Sequence, residues 1–295
     1  MTEVHNFTYG VFNPLAAYLL AFLGSFFGLL CTARARDART RSRRTRWLGI
    51  AAFSIGGGAI WLMHFAAMLG FDVPASPVRY DVLMTVLSMV AAVAAVGLGL
   101  LIVGHGRRSF PKVLAAGTLT GGGVLAMHYS GMEGMHVAGT MHYNLSLVVA
   151  SAIIAVVAST VAHWFAISVR GWARVSGAAA IMAVAVCGMH YTGMAAMSVH
   201  LDMDRVDQVR GIRPLTLIVP ITIITAATIV GVALSALQAM TEEEFSDGAP
   251  TPRRGVHAEP TASPWSLKQA NLAPASARRP SPSPRPVPVR STSNT

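Results

Sequence analysis

Cysteine is nearly absent from this chain. Cys31 and Cys187 are the only two in 295 residues, too few for a disulfide framework, and they fall at the end of the first apolar stretch and within the sixth. Charge is thin as well: 12% of residues are charged, with 13 Asp and Glu against 23 Lys and Arg. With 53% of the chain apolar, a water-soluble domain is a poor match and the solvent of most of the chain is lipid. No carboxylate dyad, phosphate loop or nucleophile–base pair stands near the motifs described below, so no enzyme is expected. The formal charge of +10 would suit nucleic acid, but the arginines lie between and after apolar stretches, where membrane topology accounts for them. The amino terminus is not expected to be a cleaved secretory leader. Met1-Thr2-Glu3-Val4-His5 has no positive start, and the first apolar run is long enough to remain as an anchor.

What the chain has is apolar runs of bilayer-spanning length, at 12–32, 47–70, 80–104, 113–135, 145–169, 176–199 and 215–240. The expected fold is an all-α membrane protein of seven transmembrane helices, read as three repeated helix hairpins plus one. Arginines 34, 36, 39, 41, 43, 44 and 46 crowd the first loop, and Arg107, Arg108, Lys112, Arg170 and Arg174 occupy the loops on the same side. The opposite loops hold only Arg79, Arg205, Arg210 and Arg213. This asymmetry predicts an amino terminus outside, a carboxyl terminus in the cytoplasm and residence in the plasma membrane. Three regions follow: an extracytoplasmic terminus at 1–11, a membrane domain at 12–240, and a tail at 241–295 too poor in large apolar residues to bury a core, hence expected to be disordered. The arginine-rich loop at 33–46 is expected to meet anionic membrane lipids.

Three copies of one short word stand inside the even-numbered spans: Met63-His64-Phe65-Ala66-Ala67-Met68, Met127-His128-Tyr129-Ser130-Gly131-Met132 and Met189-His190-Tyr191-Thr192-Gly193-Met194. The histidines recur at spacings of 64 and 62 residues, close to two spanning helices with their loops. On a helix, His64 and Met68, His128 and Met132, and His190 and Met194 share a face one turn apart. All three histidines fall on the order of 10 Å below the outer boundary. An ionisable side chain at that depth faces the bundle interior or a wet cavity, so the three are expected to converge.

A lone intramembrane histidine is ordinarily a neutral packing residue. Three in one register call for a shared cause, either a site or a packing motif kept by repetition. Thioether and imidazole disfavour hard dications and fit copper best, especially Cu(I). Met63, Met127 and Met189, about 100° around each helix, are secondary ligand candidates. Glu133 is the only carboxylate near a motif and is expected to be structural; Cys187 offers a soft donor three residues before His190, more simply read as packing. Tyr129 and Tyr191 can orient an imidazole, but Phe65 in the first copy means no hydroxyl is required. His136, His142 and His200 fall in outer loops, as solvated residues or as a path for metal. Gly56-Gly57-Gly58 and Gly121-Gly122-Gly123 precede the first two motifs and are expected to let helices approach closely.

On these residues the chain resembles the MHYT family, a seven-span bacterial membrane domain named for a repeated Met-His-Tyr-Thr word. The full word stands at Met189-His190-Tyr191-Thr192, a near copy at Met127-His128-Tyr129-Ser130, and the Phe variant at Met63-His64-Phe65-Ala66. The resemblance implies a sensor domain whose motif Met and His residues bind copper at the outer face and sense oxygen, carbon monoxide or nitric oxide. Family members often carry cytoplasmic diguanylate cyclase, phosphodiesterase or histidine kinase domains. Here the segment after the spans lacks such a domain, so output is expected to pass through a separate cytoplasmic partner. Two rivals stay open: copper transport, for which His163, Cys31 and His105 form no evident ladder, and haem held by two of the histidines.

Overall fold

The structure, a computed structural model, describes residues 7–74 and 76–202 and scattered positions between 204 and 234. Six helices carry this region: α1 (Phe12–Asp37), α2 (Arg41–Met68), α3 (Val82–Gly104), α4 (Phe110–Glu133), α5 (Leu145–Ser168) and α6 (Trp172–Ala195). All but α4 are long and apolar enough to cross a membrane. In α4 the run Gly117-Thr118 and the triplet Gly121-Gly122-Gly123 dilute the apolar content, yet the helix packs between α3 and α5 like its neighbours. The chain is a multi-pass membrane protein. Of the seven expected spans, the last, 215–240, lies mostly outside the described residues; its described positions, Thr216, Leu217, Ile223, Val230 and Leu234 among them, are helical. The expected tail at 241–295 and residues 1–6 lie wholly outside them.

Hydropathy misplaces several helix ends. The expected loop at 33–46 is largely helical, since α1 runs on to Asp37 and α2 begins at Arg41. Arginine is as good a helix former as leucine, so hydropathy marks where lipid ends and not where the helix does. Thr40 starts α2 by accepting from the Arg43 amide at 3.2 Å. Asp81 and Asn144 cap α3 and α5 in the same way, Asp81 from Met84 at 2.8 Å and Asn144 from Ser146 at 3.0 Å. At the other end the sixth span overshoots: α6 stops at Ala195, and the next residues pass into a strand.

Each helix packs chiefly on its sequence neighbours, and α6 returns to α1, so the six close into a ring of three hairpins. The outward faces are apolar, as in the row Leu145, Val149, Ile153 and Val157 of α5, while Ser25, Thr85, Ser88, Thr120, Ser151 and Ser159 are buried inside. This is the pattern of a bundle in lipid, where small and polar residues mediate helix contact. α2 is the most enclosed helix and widens to π-helical turns over Phe53–Leu62. There the expected close approach occurs: a Cβ on Gly56 would lie 2.8 Å from the Ala92 carbonyl oxygen of α3.

The ends of α2, α4 and α6 share one side of the bundle, roofed by short strands. β1 (Arg79–Tyr80) pairs with β2 (Met135–His136), and β3 (Gly139–Tyr143) pairs with β4 (Met197–Leu201), both antiparallel. Thr8 also reaches this side, its amide donating to Gly70 at 3.0 Å. The arginine-bearing turns at 38–40, 105–109 and 169–171 connect the opposite helix ends.

Candidate metal centre

Because α2, α4 and α6 pack mainly on the odd-numbered helices, what joins them is their motif ends. His64, His128 and His190 meet there, all fully buried, with one ligand nitrogen from each within 4.8 Å of the others. His64 stands between its partners: its Nδ1 lies 3.0 Å from Nδ1 of His190 and 3.2 Å from Nδ1 of His128. Ring centroids are 5.0, 5.0 and 5.3 Å apart, each pair nearly perpendicular.

Two Nδ1 atoms in contact cannot both carry a proton, so in each contact at least one ring turns a lone pair toward its neighbour. A hydrogen atom can be shared within a pair but does not fill a three-way convergence. A cation does. An ion about 2.0 Å from each nitrogen places the nitrogens of a tetrahedral site about 3.3 Å apart, and slightly less when the three ligands form a steeper pyramid. The two separations from His64, 3.0 and 3.2 Å, are of that size, and the third pair lies within 4.8 Å. A haem iron between two of the rings would instead separate their centroids by about 6.4 Å, with the ligands on opposite sides. The observed separations do not fit it.

The outer nitrogens are enclosed by glycine. A Cβ on Gly131 would lie 2.7 Å from Nε2 of His64, and one on Gly193 would collide with Nε2 of His128. Each glycine is the fifth residue of its motif and seats the histidine of the preceding copy. Sequence reading passed over this position, although a small residue in all three copies, Ala67 in the first, is a visible signal. Both Nε2 atoms are buried without a hydrogen-bond partner among the described residues.

The other motif residues divide. Met63, Met68, Met127, Met132, Met189 and Met194 are all buried in the helix core. Phe65, Tyr129 and Tyr191 each set a ring edge against the histidine before them, at 4.8, 4.8 and 4.9 Å. The Tyr129 hydroxyl is shared with Ser151 at 2.9 Å, whereas that of Tyr191 is buried without a partner among the described residues. Glu133 is exposed and Cys187 packs in a separate small cluster with Met63 and Tyr18; neither joins the histidines. Glu133 faces Tyr143 instead, whose phenol is pushed up to about 12, first by burial and then by that carboxylate. His163 is deeper in α5, its Nδ1–H donating to Ser159 at 2.7 Å beside a cavity of about 40 Å³. His105 lies at the arginine end, next to Thr45.

Residues 57–116 and 121–179 each match the MHYT family, described as the bacterial signalling protein N terminal repeat. The chain is similar to the bifunctional diguanylate cyclase/cyclic di-GMP phosphodiesterase MucR of Pseudomonas aeruginosa, 35% identical over 233 residues, which is 76% of this chain and 34% of that protein. It is similar to the cyclic di-GMP phosphodiesterase NbdA of the same organism, 35% identical over 66% of this chain and 25% of the relative. The signaling protein YkoW of Bacillus subtilis is 28% identical over 68% of this chain and 25% of its own length. The chain thus spans about a third or less of the length of the curated relatives it matches. No solved structure matches it significantly.

Proposed function

The chain belongs to the MHYT family of bacterial signalling proteins, and on that premise we propose that it is a sensor of the plasma membrane that holds one copper ion on His64, His128 and His190. The convergence of three buried Nδ1 atoms carries this reading. Imidazole suits copper, zinc and nickel alike, and the lack of any carboxylate or thiolate in the cluster tilts the set toward copper. The motif methionines, one turn from each histidine, supply soft donors to complete the coordination. When bound, copper would supply redox change and an open position for a diatomic gas.

The chain's own part is to hold the rings. Gly131 and Gly193 let α4 and α6 close on them, the aromatic edges fix the ring planes, and the strand roof keeps water from the cluster. With copper bound, a change in ligand or oxidation state would alter the preferred angle between the rings, and therefore the spacing of the ends of α2, α4 and α6. We place that cluster toward the outside, the amino terminus outside and a seventh span after residue 214, because the arginine-bearing turns lie at the other end of the bundle. Output would go to a cyclic di-GMP cyclase or phosphodiesterase, the activities named for the relatives; in this region the role is binding, without catalysis.

Metal and haem content of the detergent-purified protein tests the reading. Stoichiometric copper that is lost in the triple variant His64→Ala, His128→Ala, His190→Ala supports it. A well-folded protein that takes up no copper returns the motifs to helix packing.

A further inference from the structure

A second pair of imidazoles stands on the roof, outside the buried centre. Strand alternation in the β3–β4 ladder puts Met141, Val199 and Met197 on the inner face and Thr140, His142, Ser198 and His200 on the outer one. Val199 and Met197 are buried, while His142 and His200 are exposed. In the register His142 faces Ser198 and His200 faces Thr140, so the two histidines are diagonal neighbours across the strands. Their ring centroids lie 4.9 Å apart at an interplanar angle of 71°.

We propose that His142 and His200 form an outer-facing site for a borderline transition-metal dication, Cu(II), Ni(II) or Zn(II), separate from the buried triad. An ion about 2.0 Å from each ring nitrogen, with the ring centre about 1.2 Å beyond, makes a centroid separation of 4.9 Å correspond to a ligand angle of about 100°. That angle lies between square-planar and tetrahedral, the geometries these dications take with imidazole and water. Linear two-coordinate Cu(I) would hold the centroids about 6.4 Å apart, so the pair selects the dication. Exposure leaves the remaining positions to water.

The pair sits on a firm base. Beyond the ladder itself, the Asn144 amide donates to Ala196 at 2.8 Å and the Asp202 amide to Ala138 at 3.0 Å, closing both ends of the hairpin. β3 leads into α5 and β4 leaves α6, so an ion across them ties the roof over the buried histidines. Met141-His142-Tyr143 also repeats the first three letters of the motif, but here in a strand, where the side chains of neighbours oppose instead of sharing a face.

Equilibrium dialysis of the full chain in detergent against Ni²⁺ tests the site, since Ni²⁺ avoids the redox chemistry of copper. Four proteins are compared: wild type, His142→Ala with His200→Ala, His200→Gln alone, and the triple variant of the buried histidines. The expected result is saturable Ni²⁺ binding by the triple variant, in which only the outer pair remains, and one equivalent fewer in the double variant than in wild type, with His200→Gln weakening that equivalent about tenfold or more. Amide exchange in residues 139–143 and 197–201 should slow on adding Ni²⁺ only where both histidines remain. Binding unchanged in the double variant, or lost only with the buried triad, would overturn the proposal. The first outcome leaves the buried copper reading untouched, so the two accounts fail separately.

Discussion

Gly193 of α6 is the seat of His128 from α4: a Cβ at that position would occupy the space of the imidazole Nε2. The contact explains why the fifth motif residue is glycine in the copies whose helices close over a preceding histidine. It also ties helix spacing to ring position, which a sensor built on these rings requires.

Gly193→Ala should therefore spoil the centre more than its size suggests. The added methyl must displace His128 or separate α4 from α6, at about 1–3 kcal/mol for overpacking. Copper content and thermal stability should both fall, and Gly131→Ala should act likewise through His64. Gly188→Ala is the control, because nothing lies within 4 Å of a Cβ there; its metal content should match wild type and its stability should be equal or up to about 1 kcal/mol higher from helix propensity.

Tyr129→Phe separates orientation from ligation. It removes the 2.9 Å bond to Ser151 and restores the aromatic found naturally at Phe65. The expected cost is about 1 kcal/mol in thermal unfolding, with copper stoichiometry retained. Loss of the metal would make the phenol a ligand.

Much of this was legible in the sequence, for identifiable reasons. A bilayer fixes span length, so hydropathy located six helices, and the 64-residue and 62-residue spacing placed His64, His128 and His190 at equal depth. What hydropathy could not register was contact between distant turns. The roof strands join residues 79–80 to 135–136 and 139–143 to 197–201, pairings that no local pattern encodes. The role of Gly131 and Gly193 was hidden because their partners belong to other copies. The arginines misled on helix ends, since the helices of Arg36 and Arg44 extend past the apolar runs into the charged segment; Arg36 there donates to the carbonyls of Ala166 and Val169 at the end of α5.

The π-helical stretch makes a further distinction testable. Gly56→Ala drives a methyl against the α3 backbone at 2.8 Å, where no side chain can yield, and should lower the unfolding midpoint. Gly122→Ala faces open space and should be neutral or stabilising by up to about 1 kcal/mol from helix propensity. Equal effects would mean that α2 does not approach α3 so closely.

Orientation can be read by thiol labelling in intact cells. Thr140→Cys on the outer face of β3 should react with an impermeant maleimide, and Arg39→Cys in the arginine-bearing turn should react only after the membrane is opened. The reverse pattern would invert the sensor and put its histidines toward the cytoplasm.

Copper K-edge X-ray absorption of the purified chain tests the central claim most directly. The account predicts three nitrogen scatterers at about 2.0 Å with the outer-shell signature of imidazole, with or without added sulfur, and loss of that spectrum in the triple His64→Ala, His128→Ala, His190→Ala variant. A spectrum with sulfur alone, or one unchanged in the triple variant, would contradict it.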